Sequence, residues 1–146
     1  MAKHLMSFLL SLAISAMAFA QEKTVIKTSE APAAIGPYSQ AIMVGNALYC
    51  SGQIALDPAT GKMVTENIQA ETRQVLKNLG AVLRAAGMNY SNVVQATVYL
   101  ADLNDYKTMN EIYAEFFKEN PPARAAVQVA RLPRDARVEI ACIAMK

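Results

Sequence analysis

The stretch NVVQATVYLADLNDYKTMNEIYAEFFKENPPARAAVQVA, residues 92–130, decides the fold. Its first part, Asn92 to Leu100, is rich in β-branched residues, and Gln95 and Thr97 alternate with Val94, Ala96 and Val98, which predicts a strand. Tyr106, Met109, Ile112, Tyr113, Phe116 and Phe117 then recur at helical spacing. Asn104 or Asp105 is placed to cap that helix, and Pro121-Pro122 ends it. Ala125 to Ala130 is apolar again and predicts another strand.

Upstream, Ile68, Val75, Leu76, Leu79, Val82, Leu83 and Ala86 mark a long amphipathic helix within Thr65 to Ala86, with Gly87 as its stop. Further back, Val25 to Lys27, Ala41 to Val44 and Leu48 to Ile54 predict three strands, the last two joined by a Gly45-Asn46 hairpin turn. Downstream, the turn-rich segment Arg131 to Arg137 leads into a final apolar strand, Val138 to Ala144. The order is βββαβαββ. Each helix has one apolar stripe to bury, so an α+β fold with both helices on one face of a single sheet follows. The last strand is apolar on both parities, and the face away from the helices would present oil to water in a monomer. A closed homo-oligomer that covers this face is the expectation.

Composition bounds the chemistry. The chain has 146 residues, 53% apolar and 18% charged, enough for one domain with its own core and too few for two. Residues 1–20 read as a secretory signal peptide: Lys3 and His4, an apolar run from Leu5 to Phe19, and small residues in Ala18-Phe19-Ala20 at the cut. The run falls short of the roughly 20 apolar residues that span a bilayer and has no basic stop-transfer flank. A periplasmic or secreted domain of residues 21–146, with no membrane association after cleavage, is expected. The single histidine, His4, is in the leader, so the mature chain would lack the imidazole of Ser-His-Asp, Cys-His and histidine-rich zinc sites. Loss of Lys3 takes the 14 basic residues to 13 against 12 acidic, a net charge of +1, with no basic face for nucleic acid.

Several residues ask for a chemical reason. Glu139 lies inside an apolar strand, where a carboxylate is expensive unless it faces a wet cleft, a hydrogen-bond donor or a cation. Arg124 opens the preceding strand, and in a hairpin it shares strand parity with Glu139, so both could reach one face. The pair reads either as a structural ion pair or as a carboxylate receptor beside a base. Ile35-Gly-Pro-Tyr-Ser-Gln40 is a turn that delivers Tyr38, and Ser51-Gly52 lets something approach the backbone closely. Cys50 and Cys142 sit on the opposite parity from Ser51 and Glu139 and read as buried free thiols, a disulfide being permitted only in an oxidising compartment.

Taken together, Ala31-Pro-Ala-Ala-Ile-Gly-Pro-Tyr-Ser-Gln-Ala41, Ser51-Gly-Gln-Ile54, Thr97-Val-Tyr-Leu-Ala-Asp-Leu-Asn104, Met109-Asn110, Pro122-Ala-Arg-Ala-Ala-Val127 and Val138-Glu-Ile140 resemble the RidA (YjgF) family of enamine/imine deaminases over essentially residues 23–146. The resemblance implies a chorismate-mutase-like subunit in a homotrimer, with a cleft between neighbouring subunits. It implies that Arg124 binds a substrate carboxylate, that Glu139 handles the attacking water, and that Tyr38, Ser51, Gly52 and Asn110 line the site. Ala126 stands where many members have cysteine, whose main-chain carbonyl meets the substrate. The implied reaction is hydrolysis of 2-imino acids such as 2-iminopropanoate to 2-keto acids and ammonia, with no metal and no cofactor. A non-catalytic carboxylate-binding or holdase-like trimer is the alternative, and the endoribonuclease label carried by relatives a third reading.

Overall fold

The computed structural model describes residues 22–146, so the predicted leader lies outside the described residues. Six strands form one mixed sheet: β1 (Lys23–Ile26), β2 (Ala41–Val44), β3 (Ala47–Gln53), β4 (Val93–Leu100), β5 (Ala123–Gln128) and β6 (Val138–Met145). Two helices, α1 (Ile68–Ala85) and α2 (Tyr106–Phe116), complete the βββαβαββ order expected from the sequence. The order across the sheet is β1-β2-β3-β6-β4-β5, antiparallel throughout except for the parallel pair β4-β5.

Local signals account for most element ends. Val44 pairs with Ala47, so Gly45-Asn46 forms a two-residue hairpin loop, with Gly45 at φ 58°. α1 starts at Asn67, whose side chain accepts the Ala70 N–H, rather than near Thr65. It stops in a Schellman motif: Gly87, at φ 70°, donates to the Arg84 carbonyl and Met88 donates to that of Leu83. Asp105 stands at the N-cap of α2 without a side-chain cap bond, and the expected capping moves to Asp102, which accepts the Asn104 N–H in the turn just before.

One parity of the sheet is the core. Ala96, Val98 and Leu100 of β4 and Val138, Ile140, Cys142 and Ala144 of β6 are buried against Val75, Leu76, Leu79, Val82 and Leu83 of α1 and Met109, Ile112 and Tyr113 of α2. On the other parity β6 alternates to half-buried residues, including Ala141, Ile143 and Met145, and Tyr49 of β3 is 50% exposed. Among the described residues no helix covers that second face, as the single-stripe argument required.

The expected hairpin of the last two strands does not form. β6 inserts between β3 and β4, and β5 is the edge. The physical reason is visible in the strands themselves. β6 is apolar on both parities and tolerates a central place, whereas every residue of β5 is exposed or half-buried.

Candidate active site

Because β4 separates β5 from β6, its register fixes where the two charged residues point. Arg124 is the partner of Ala96, while Glu139 is the partner of Tyr99, three residues along β4. An odd separation on one strand means opposite faces. Arg124 therefore stands on the helix face and Glu139 on the bare face. The expectation that both reach one face of one chain is overturned by the strand order, and the structural ion pair falls with it.

Arg124 builds the first half of the site. Its guanidinium carbon lies 4.5 Å from the centre of the Tyr113 ring and 5.7 Å from that of Tyr106, and Nη2 donates to the Tyr106 hydroxyl at 3.2 Å. No carboxylate is paired with it among the described residues. The guanidinium thus keeps donors for a planar anion while two aromatic rings flank it. A cavity of about 620 Å³ opens here, with Asn110, Ala126 and Pro122 in its wall. Asn110 Oδ1 is buried without a hydrogen-bond partner, an acceptor left for something that enters. Asn110 and Arg124 beside the Tyr106 hydroxyl hold that phenol below its ordinary range, and burial pushes the Tyr113 phenol up to about 12. Ala126 lies two residues along the edge strand from Arg124, on the same parity.

The second half gathers the remaining predicted residues. Tyr38, Ser51, Gly52 and Glu139 line a cavity of about 310 Å³ with Ile35, Ile54 and Pro133. The Ser51 hydroxyl donates to the Ser39 carbonyl at 2.7 Å, and the Ser51 N–H donates to the Gln40 carbonyl at 3.0 Å, tying the Tyr38 turn to the end of β3. The Tyr38 hydroxyl accepts the Ile35 N–H at 3.2 Å. Gly52 is required by space. A Cβ there would collide with Glu139 Oε1, with Cδ at 2.7 Å and Cγ at 2.9 Å. The Glu139 side chain occupies the space beside the Gly52 Cα, at the irregularity where β3 and β6 shift register between Cys50 and Gln53. Glu139 has no cation and no hydrogen-bond donor from the described residues, and burial alone pushes its carboxyl above the usual range. That is the state of a base waiting for a proton.

Each half is chemically incomplete: an anion receptor without a base on one face, and a base without an anion receptor on the other. The sequence reading missed the aromatic seat of Arg124. The helical stripe predicts both Tyr106 and Tyr113 as buried; Tyr113 is, whereas Tyr106 is 40% exposed and bonded to the guanidinium. Their spacing of seven, two helical turns, was the available signal. Ile35, Ile54 and Pro133 were likewise unassigned.

Comparison with known proteins places these residues in a family. The family described as Endoribonuclease L-PSP matches residues 28–146. The human 2-iminobutanoate/2-iminopropanoate deaminase is 52% identical over 124 residues, 85% of this chain and 90% of its own. The chloroplastic Reactive Intermediate Deaminase A of Arabidopsis thaliana is 52% identical over 131 residues, 90% of this chain and 70% of its own. Among solved structures, RidA from the Antarctic bacterium Psychrobacter sp. superposes with a TM-score of 0.82 at 45% identity, covering 84% of this chain and 99% of that one. E. coli TdcF with bound serine superposes with a TM-score of 0.81 at 41% identity, covering 84% and 98%. The chain belongs to the Endoribonuclease L-PSP family, the RidA (YjgF) group.

Proposed function

We propose that the protein hydrolyses 2-imino acids and their enamine tautomers to 2-keto acids and ammonia, in clefts where the Arg124 half of one subunit meets the Glu139 half of the next. The observation that carries the reading is the pair of unsatisfied charges, an unpaired guanidinium and a half-buried partnerless carboxylate, in a chain about half identical to proteins named as imine deaminases. The two halves lie on opposite faces of one sheet, so a single chain cannot bring them to one small acid. Rotation about a closed symmetry axis can, and the half-buried second face of β6, with exposed Tyr49 beside it, supports a homotrimer as the assembly.

In this reading Arg124 takes the substrate carboxylate bidentately, and main-chain groups at Ala126 and Gly52, together with Asn110 Oδ1, orient the imine. Glu139 removes a proton from a water as its oxygen bonds to the C=N carbon, the π electrons moving to nitrogen. Glu139 returns that proton to nitrogen, giving the tetrahedral aminol. It then takes the aminol hydroxyl proton and passes it to the amino nitrogen, the C–N bond breaks with its electron pair leaving on ammonia, and the C=O bond forms. Imines hydrolyse readily in water, so positioning plus one base supplies the modest barrier reduction required. No step draws on a metal or an organic cofactor.

The test is ammonia or 2-keto acid release from an imino acid generated in situ by an amino-acid oxidase, with Arg124→Ala alongside. Loss of the acceleration in the variant is expected. Equal rates would end the assignment of Arg124 to the site, and 2-keto acid binding with no turnover in the unaltered protein would replace the enzyme by a carboxylate-binding trimer.

We also propose export, supported by the Lys3–Ala20 leader pattern. N-terminal sequencing of the protein from its host is expected to begin at Gln21.

A further inference from the structure

Two polar side chains of α1 are almost fully buried and belong to neither half of the site. Glu71 is 2% exposed and Asn78 is 1% exposed. They stand seven residues apart, two turns along one helix face. Each hydrogen-bonds main chain outside the helix. The Glu71 carboxylate accepts the Arg137 N–H at 2.9 Å and the Arg137 guanidinium at 2.9 Å, and that guanidinium also donates to the Thr65 carbonyl at 3.2 Å. Asn78 Nδ2 donates to the carbonyls of Ile54 at 3.1 Å and Leu56 at 2.8 Å, and its Oδ1 accepts from Gln74 at 2.9 Å.

The anchored segments are the two that carry the Glu139 half. Arg137 precedes Glu139 by two residues, at the entrance of β6, and Ile54 follows Gly52 by two residues, beyond the exit of β3. Glu139 also fills the space that a side chain at Gly52 would need. One helix thus holds both ends of the contact through equally short lengths of chain. Burying a carboxylate is costly even when paired, and apolar residues of similar volume would pack this interface more cheaply. The retained polarity buys directional fixing of two loops, not burial.

We propose that Glu71 and Asn78 are positioning residues for the Glu139 carboxylate: α1 sets its distance and angle to the Gly52 backbone by clamping the chain on both sides. The assignment rests on the deaminase reading for its effect on rate, but its effect on Glu139 itself does not depend on what the substrate is. A carboxylate allowed to drift from its place beside Gly52 gains water, and its pKa moves down toward the ordinary value of 4.5 from which burial has raised it.

The experiment uses Glu71→Leu and Asn78→Leu in the full-length protein, with Glu71→Gln as the conservative variant that keeps an acceptor for the Arg137 N–H. Glu139 is titrated by carboxyl ¹³C NMR, and kcat and KM are measured in parallel. Expected is a downward move of the Glu139 pKa in both leucine variants, recovered in Glu71→Gln, and a fall in kcat of roughly 10- to 100-fold with KM within about threefold. KM is spared because the carboxylate receptor, Arg124, is on the other face. Where loss of the Glu71 pair unfolds the chain, Asn78→Leu, whose outside partners are two carbonyls, carries the test. An unmoved Glu139 titration in a folded variant overturns the proposal. No acceleration of imine hydrolysis by the unaltered protein, with the Glu139 titration still displaced in the leucine variants, overturns the deaminase reading and leaves the positioning role standing.

Discussion

Arg124 and Glu139 stand back to back, two strands apart, with β4 between their strands and their side chains on opposite faces of the sheet. In the proposed function the site is therefore a property of the assembly. A substitution that separates subunits is expected to abolish turnover without touching either charge. Ile143→Asp, on the half-buried second parity of β6, places a carboxylate in the proposed contact. Light scattering is expected to give three chains per particle for the native protein and one for the variant, with no imine hydrolysis by the monomer. An active monomer would refute the split site.

Gly52→Ala is expected to disable the base while leaving the fold in place. The new methyl overlaps the Glu139 carboxylate, and the flexible acid must yield rather than the backbone. A displacement of the order of 1 Å costs roughly 100-fold in kcat. Circular dichroism should remain native. Activity within twofold of the unaltered protein would mean that Glu139 does not act from the position observed.

Arg124→Lys keeps the charge but loses the planar fork and the stacking on Tyr113 and Tyr106. A point charge on a flexible stem orients a carboxylate poorly, so KM is expected to rise about 10-fold or more. Steady-state kinetics over a range of imine concentrations distinguish this from a pure loss of kcat.

Burial raises the Glu139 carboxyl above 4.5, and two consequences of opposite direction follow. The base is active only when ionised, so kcat/KM is expected to fall on the acid side with an apparent pKa above 4.5, and the limb should vanish in Glu139→Gln together with most of the rate. For stability the sign reverses. A group whose folded pKa is raised contributes stability below its unfolded value, and that contribution is lost as pH rises through the folded value. Glu139→Gln is therefore expected to melt higher than the native protein at neutral pH by a few degrees, and to lose that advantage at pH 4.

Cys50 and Cys142 are register partners across β3 and β6, both buried and both free. The neighbouring Cys50 thiol and burial push the Cys142 thiol far up, so little thiolate exists at neutral pH. Neither residue is expected to react with iodoacetamide in the native protein within minutes, and both should react after unfolding, as read by mass spectrometry.

The elements were legible in the sequence because each is written locally. The stripe from Ile68 to Ala86, the alternation from Asn92 to Leu100, and Gly45-Asn46 all carry their own period or turn chemistry. The motif residues Tyr38, Ser51, Gly52, Asn110, Arg124, Ala126 and Glu139 do line cavities, in two groups. What could not be read was adjacency. Whether β5 pairs with β6 or with β4 depends on which strand tolerates burial on both sides, a comparison between distant segments. That one choice decided the faces of Arg124 and Glu139. The roles of Glu71 and Asn78 were hidden for the same reason. A glutamate in the first turn of a helix reads as a dipole partner, and only tertiary structure shows Arg137 docked on it.

The last strand in the chain occupies the middle of the sheet. Until residues 138–145 are available, β1-β2-β3 and β4-β5 are two unjoined pieces, each with a raw inner edge. Synthesis from the N-terminus therefore delivers the joining strand only after the two ladders it must enter. The joining segment follows both ladders in the chain and must thread between them, and without residues 138–145 the two ladders have nothing to join them into one sheet.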